Sequence, residues 1–62
     1  MTDEKKLLQL VFDLDLHIDQ AAKMVGVHRS TFYRWLSGES RIPKIAMQFL
    51  EMMKSNRRHI SQ

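Results

Sequence analysis

The stretch from Gly26 to Gly38, GVHRSTFYRWLSG, begins and ends with the only two glycines of the chain and holds its only Tyr and Trp. A glycine just past a helical segment lets the backbone pass through the left-handed region, which a side chain resists. Gly26 is therefore expected to close one helix and Gly38 the next. Between them, Phe32 and Trp35 lie three apart on one face, and together with Leu36 they are assigned to the core. Helical geometry then sends His28, Arg29, Ser30, Tyr33, Arg34 and Ser37 outward, with Thr31 at the margin. The outward set is made of long or hydroxylated donors with one aromatic ring, and the next acid along the chain is Glu39.

On the N-terminal side, Ala22 is small where two helix backbones must approach closely, and Val27 is the apolar plug of the turn. Upstream of these, Leu7, Leu8, Leu10, Val11, Phe12 and Leu14 recur in helical steps behind Thr2, a suitable N-cap. Asp15, His17 and Asp19 are each candidate caps for the helix that follows. On the C-terminal side, Pro43 suits the first position of a helix, because its missing N–H would have no helical partner there. The spacing predicts an all-α, four- to five-helix compact domain with helices over about 3–15, 18–25, 29–37 and 43–55. The domain is expected to span residues 1–56, followed by a basic flexible tail over 57–62. No repeat, low-complexity segment or strand pattern is present.

Sixty-two residues make one domain at most, near the lower size at which a chain buries enough surface to fold alone. With no cysteine, neither disulfides nor a thiolate zinc site can staple it, which leaves oligomerisation. No apolar run is long enough to span a bilayer, and the acid-rich first 20 residues are unlike a signal peptide. A soluble, intracellular protein without membrane contact is expected. The net charge of +3 is unevenly spread: residues 1–19 carry −3 and residues 20–62 carry +6. The basic part is the candidate surface for a polyanion.

Two short helices joined by a tight turn form a unit whose second helix commonly enters the DNA major groove. Arginine bonds bidentately to guanine O6 and N7, while Ser, Thr and Tyr donate to phosphates or base edges. The run DQAAKMVGVHRSTFYRWL resembles the helix-turn-helix of bacterial and phage regulators, with Ala22, Gly26, Val27, Phe32 and Trp35 at that motif's framework positions. The part AAKMVGVHRSTFYR is similar to the DNA-binding end of Fis-type proteins. The continuation WLSGESRIPKIAMQFL resembles the Cro/repressor class of phage and plasmid regulators, which includes anti-CRISPR-associated regulators and antitoxins. This continuation favours the Cro/repressor class, over about residues 15–53.

The resemblance implies base reading by His28, Arg29, Ser30, Tyr33 and Arg34. It implies phosphate contacts from Thr31, Ser37, Arg41 and Lys44. Family members often hold a phosphate with Gln at the start of the first motif helix, but Ile18 occupies that place, so His17 and Gln20 are the candidate substitutes. The implied partner is double-stranded DNA with a pseudo-palindromic operator, bound by a dimeric repressor. Two other readings use the same fold: an antitoxin or adaptor that binds protein, and an architectural or packaging protein that bends DNA.

Neither catalysis nor a bound metal is expected. His17, His28 and His59 fall on different elements without ligand spacing, and Asp13, Asp15 and Asp19 lack the glycine and closing glutamate of a calcium loop. No cofactor or small-molecule ligand is expected either. In the fourth helix, Ala46, Phe49, Leu50 and Met53 suffice for a small core, which leaves Ile45 and Met52 to be covered. A homodimer interface is expected there, through Ile45, Phe49, Met52 and Met53, with the first helix as the alternative. Arg57, Arg58 and His59 either add phosphate contacts or solubilise the chain end.

Overall fold

The computed structural model describes residues 2–60, and the side chains of residues 2–56. Its four helices are α1 (Asp3–Asp13), α2 (Ile18–Val25), α3 (Arg29–Ser37) and α4 (Lys44–Ile60), with no strand among the described residues. The domain is all-α, as the hydrophobic spacing predicts.

One core unites the four helices. Leu7, Leu10, Val11 and Leu14 meet Ala21, Ala22, Phe32 and Trp35, and the loop residue Ile42 joins Ala46, Met47 and Leu50 of α4. Phe32, Leu7 and Leu50 are the largest fully buried side chains. Burying an aliphatic or aromatic side chain of this size contributes about 1.5–3 kcal/mol, so these three anchor a domain with little core to spare. The Phe32 and Trp35 rings pack tilted, with centroids 5.5 Å apart. Ala21 and Ala22 are both buried, and their small size lets α2 lie close to α3.

Three helices end alike. Gly26 and Gly38 have φ of +90° and +85°, and after each the next N–H reaches back five residues, Val27 to the Ala22 carbonyl and Glu39 to the Arg34 carbonyl, both at 2.9 Å. The end of α1 repeats this geometry with a non-glycine. Asp15 has φ of +58°, and the Leu16 N–H donates to the Val11 carbonyl at 3.1 Å. These are the bonds that satisfy the last carbonyls of a helix when the chain passes through the left-handed region.

Asp15 corrects two expectations at once. The helix stops at Asp13, two residues short of the expected end, because Asp15 is the turning residue. It therefore does not cap α2. The residue at the cap of α2 is His17, in extended conformation. At the start of α1, the Thr2 hydroxyl accepts from the Lys5 N–H as expected.

The fourth helix differs at both ends from its expected span. Pro43 stands immediately before it, its carbonyl accepting from the Ala46 and Met47 N–H groups. The helix continues to Ile60, so the backbone of residues 57–60 prolongs α4, where the spacing placed its end near Ser55 and a tail beyond. Residues 61 and 62, and the side chains of Arg57, Arg58 and His59, lie outside what is described. Within α4, Met47 takes the core place expected for Phe49, which is 39% exposed. The reason is angular: residues 46, 47 and 50 lie within one narrow arc, and 49 lies to its side.

Two ion pairs tie α1 to α4. Lys6 Nζ meets Glu51 Oε2, and Lys54 Nζ meets Asp13 Oδ2, both at 2.7 Å. The Gln9 amide also donates to Asp13, at 2.9 Å. Hydrogen bonds from Lys54 and Gln9 hold the Asp13 carboxyl below the usual carboxylate range. The Glu51 carboxylate, accepting from Lys6, raises the lysine above its ordinary value.

Candidate nucleic-acid interface

The outer face of α3 presents Arg29, Ser30, Tyr33, Arg34 and Ser37, all exposed, while Thr31 is half-buried at its edge. At 100° per residue these five exposed positions fall within an arc of about 140°. The opposite arc carries Phe32, Trp35 and Leu36 into the core. One rigid helix thus holds two arginines, two serines and a phenol in fixed order on the solvent side.

His28 introduces this helix rather than standing on its face. It is the N-cap, and its Nδ1 accepts from the Ser30 N–H at 3.2 Å and lies 2.9 Å from the Ser30 hydroxyl. Accepting through Nδ1 leaves Nε2 as the ring's outward donor. Ser30 is drawn into the same cap. Ser37 is also engaged, its hydroxyl donating to the Arg34 carbonyl at 3.1 Å.

At the start of α2, Gln20 Oε1 accepts from the His17 N–H at 3.0 Å. With its oxygen accepting in this cap, the Gln20 amide still has its NH₂ group to offer outward as a donor. His17 and Gln20 are both exposed, as are Arg41 in the loop after α3 and Lys44 at the first position of α4. Among the described residues, Arg34, Arg41 and Lys44 form no ion pair, whereas Arg29 does: its Nη1 lies 3.6 Å from Asp19 Oδ2.

That carboxylate is the feature the sequence did not announce. Counting along the chain from Gly26, no acid occurs until Glu39, but the turn at Gly26 folds α2 back so that Asp19 stands beside Arg29. A signal existed in principle, since both residues sit in the first turns of helices packed as a pair.

The residues expected at the dimer interface divide. Ile45 is 75% and Met52 61% exposed, and with Phe49 they recur at steps of four and three along one side of α4. Met53 is half-buried and packs against the core. A second apolar surface is formed by residues of α1, α2 and α3. A groove of about 880 Å³ is lined by Leu8, Phe12, Leu16, His17, Ile18 and Tyr33, among others.

Among the described residues no helix is long and apolar enough to cross a membrane, and no group of His, Asp or Glu could hold a metal ion.

The family model for the homeodomain-like domain matches residues 2–45, taking in α1, α2, α3 and the loop as far as the first turn of α4. The sequence resemblance, over residues 15–53, begins later and runs further into α4. No curated protein and no solved structure matches the chain significantly. With most of its length matched, the chain belongs to the homeodomain-like family, helix-turn-helix domains that bind DNA and are typically not enzymes.

Proposed function

We propose that this homeodomain-like domain is a sequence-specific transcriptional regulator, a dimeric repressor that lays α3 in the major groove of each half of an inverted repeat. The observation that carries the reading is the outer face of α3, where Arg29 and Arg34 project from a helix whose other side is locked into the core. Arg29 and Arg34 read guanines. Tyr33, Ser30 and the outward Nε2 of His28 add base-edge contacts. Thr31, Ser37, Arg41, Lys44, His17 and the Gln20 amide set the register on phosphates, which carry affinity but no sequence information.

The exposed stripe of Ile45, Phe49 and Met52 supports self-association, since covering it against a second copy removes apolar surface that a chain of this size can ill leave in water. Met53, already packed on the core, contributes only at its margin. A two-fold dimer fits half-sites about 34 Å apart, one helical turn, or a multiple of that. The resemblance of the α3–α4 segment to Cro/repressor regulators supports repression by occupancy of promoter DNA in the cytoplasm of a bacterial or phage-infected cell.

Binding-site selection from a random duplex pool, with wild type and Arg29→Ala in parallel at two salt concentrations, tests this reading. The expected result is an inverted repeat for wild type and loss of preference at one guanine per half-site for the variant, a discrimination of about 1–3 kcal/mol. Enrichment of single half-sites would remove the dimer. Strongly salt-dependent binding with no enriched sequence would make the protein an architectural binder instead.

A further inference from the structure

Asp19 is an acid on a surface otherwise suited to a polyanion. It stands on α2, exposed, with its carboxylate 3.6 Å from the Arg29 guanidinium. As a contribution to stability such a solvent-exposed pair is worth little, and Arg29 already lies on a helix anchored by Phe32 and Trp35. With α3 docked as proposed, its charge opposes DNA affinity, because a carboxylate near phosphates disfavours binding to any sequence. A residue that weakens binding everywhere is explicable where it improves discrimination.

We infer that Asp19 is a positioning residue for sequence reading: its carboxylate holds the Arg29 guanidinium toward a base edge and away from the phosphates.

Two physical effects combine in this role. An unrestrained arginine has many rotamers and reaches the nearest phosphate from most of them, whatever the sequence. A carboxylate on the neighbouring helix, approaching the fork at Nη1, leaves the rest of the planar fork for the bidentate pattern of guanine O6 and N7. The same negative charge disfavours the phosphate-bound rotamers. Arg34, on the same face and without a carboxylate partner, has no such restraint and serves as the internal control. The inference rests on the proposal that Arg29 reads a base.

The test repeats the site selection with wild type, Asp19→Asn, Arg29→Ala and the double variant, and adds the salt dependence of binding to a random-sequence duplex. Asparagine keeps the size of Asp19 and removes its charge. In Asp19→Asn, preference at the base pair read by Arg29 is expected to fall about fivefold, a part of what a bidentate pair supplies. Preference at the position read by Arg34 should stay unchanged. Random-sequence binding should tighten about threefold, with a salt slope steeper by up to about 0.9 as Arg29 gains a phosphate. In the Arg29→Ala background, Asp19→Asn should change no base preference.

Each contrary result overturns the inference in a distinguishable way. If Asp19→Asn tightens specific and random DNA equally, the carboxylate is only a charge. If it changes neither, the ion pair is without consequence in the complex. If wild type itself enriches no sequence, the regulator reading falls and this inference falls with it.

Discussion

The two halves of this molecule are held together by different means. The α2–α3 unit is fastened by short-range devices: a left-handed glycine between the helices, the His28 cap, the Gln20 bond to the His17 N–H, and a pair of alanines at the close approach. The α1–α4 pair is fastened over long sequence distance, by two exposed ion pairs flanking the core, and both its helices leave apolar side chains in water. The difference teaches where rigidity is needed. A helix face that reads DNA must hold its side chains in place, whereas the α1–α4 surface, if it closes against a second copy as proposed, can complete its packing on assembly.

The strongest way to break this contrast is Gly26→Ala. A Cβ there would meet no atom within 4 Å, so the loss comes only from forcing a side chain to φ near +90°. About 1–2 kcal/mol of stability should disappear, read as a lower midpoint in urea. An unchanged midpoint would mean that the turn relaxes and is not the rigid joint described above.

A smaller effect of opposite sign is expected at the joint between α1 and α2. Asp15 makes the same left-handed turn without being glycine, and Asp pays less for it than most residues. Asp15→Gly should therefore raise stability by under about 1 kcal/mol. Equal or lower stability in the same denaturation series would show that the Asp15 side chain contributes something its exposed position conceals.

The weakest effect belongs to the α1–α4 pair, and pH is the way to see it. Because the folded Asp13 carboxyl titrates below its unfolded value, its contribution is present above the ordinary carboxylate range and is lost as pH falls through the folded value. Lys6, raised by Glu51, contributes below the ordinary lysine range and loses that contribution as pH rises through its folded value. Both pairs are thus in place from roughly pH 4 to pH 10. Asp13→Asn should lower the melting temperature slightly at pH 7 and flatten its fall between pH 5 and pH 3. Parallel acid limbs for variant and wild type would show that the pair does not tie the helices in solution.

The contrast also marks what could be read from the residues alone. Local devices were legible, because glycines and a Phe–Trp pair three apart leave clear traces and Pro43 marks the start of α4 to within one residue; α2 and α3 have the expected bounds. What depended on chain reversal was not. Asp15 looked like a cap because nothing in a single sequence tells an aspartate that starts a helix from one that turns the chain out of the previous one. The Asp19–Arg29 pair and the two α1–α4 ion pairs are tertiary facts between residues 10, 45 and 41 positions apart. In α4, Met47 and Phe49 point to different sides of the helix, and only the packing put the side with Met47 in the core. The end of α4 was misplaced because polar, basic residues at 54–59 carry no stop signal, only an absence of apolar spacing.

The length of α4 has a consequence of its own. Seventeen residues make a rod of about 25 Å, at 1.5 Å and 100° per residue. If copies pair along this rod, the place of the apolar stripe on it sets how far apart the two reading heads stand and how they are turned. Moving the stripe one full turn along α4 would change that spacing without touching a residue that reads a base. Operator spacing and operator sequence would then be written in separate parts of the chain, so that one can be redesigned while the other is kept.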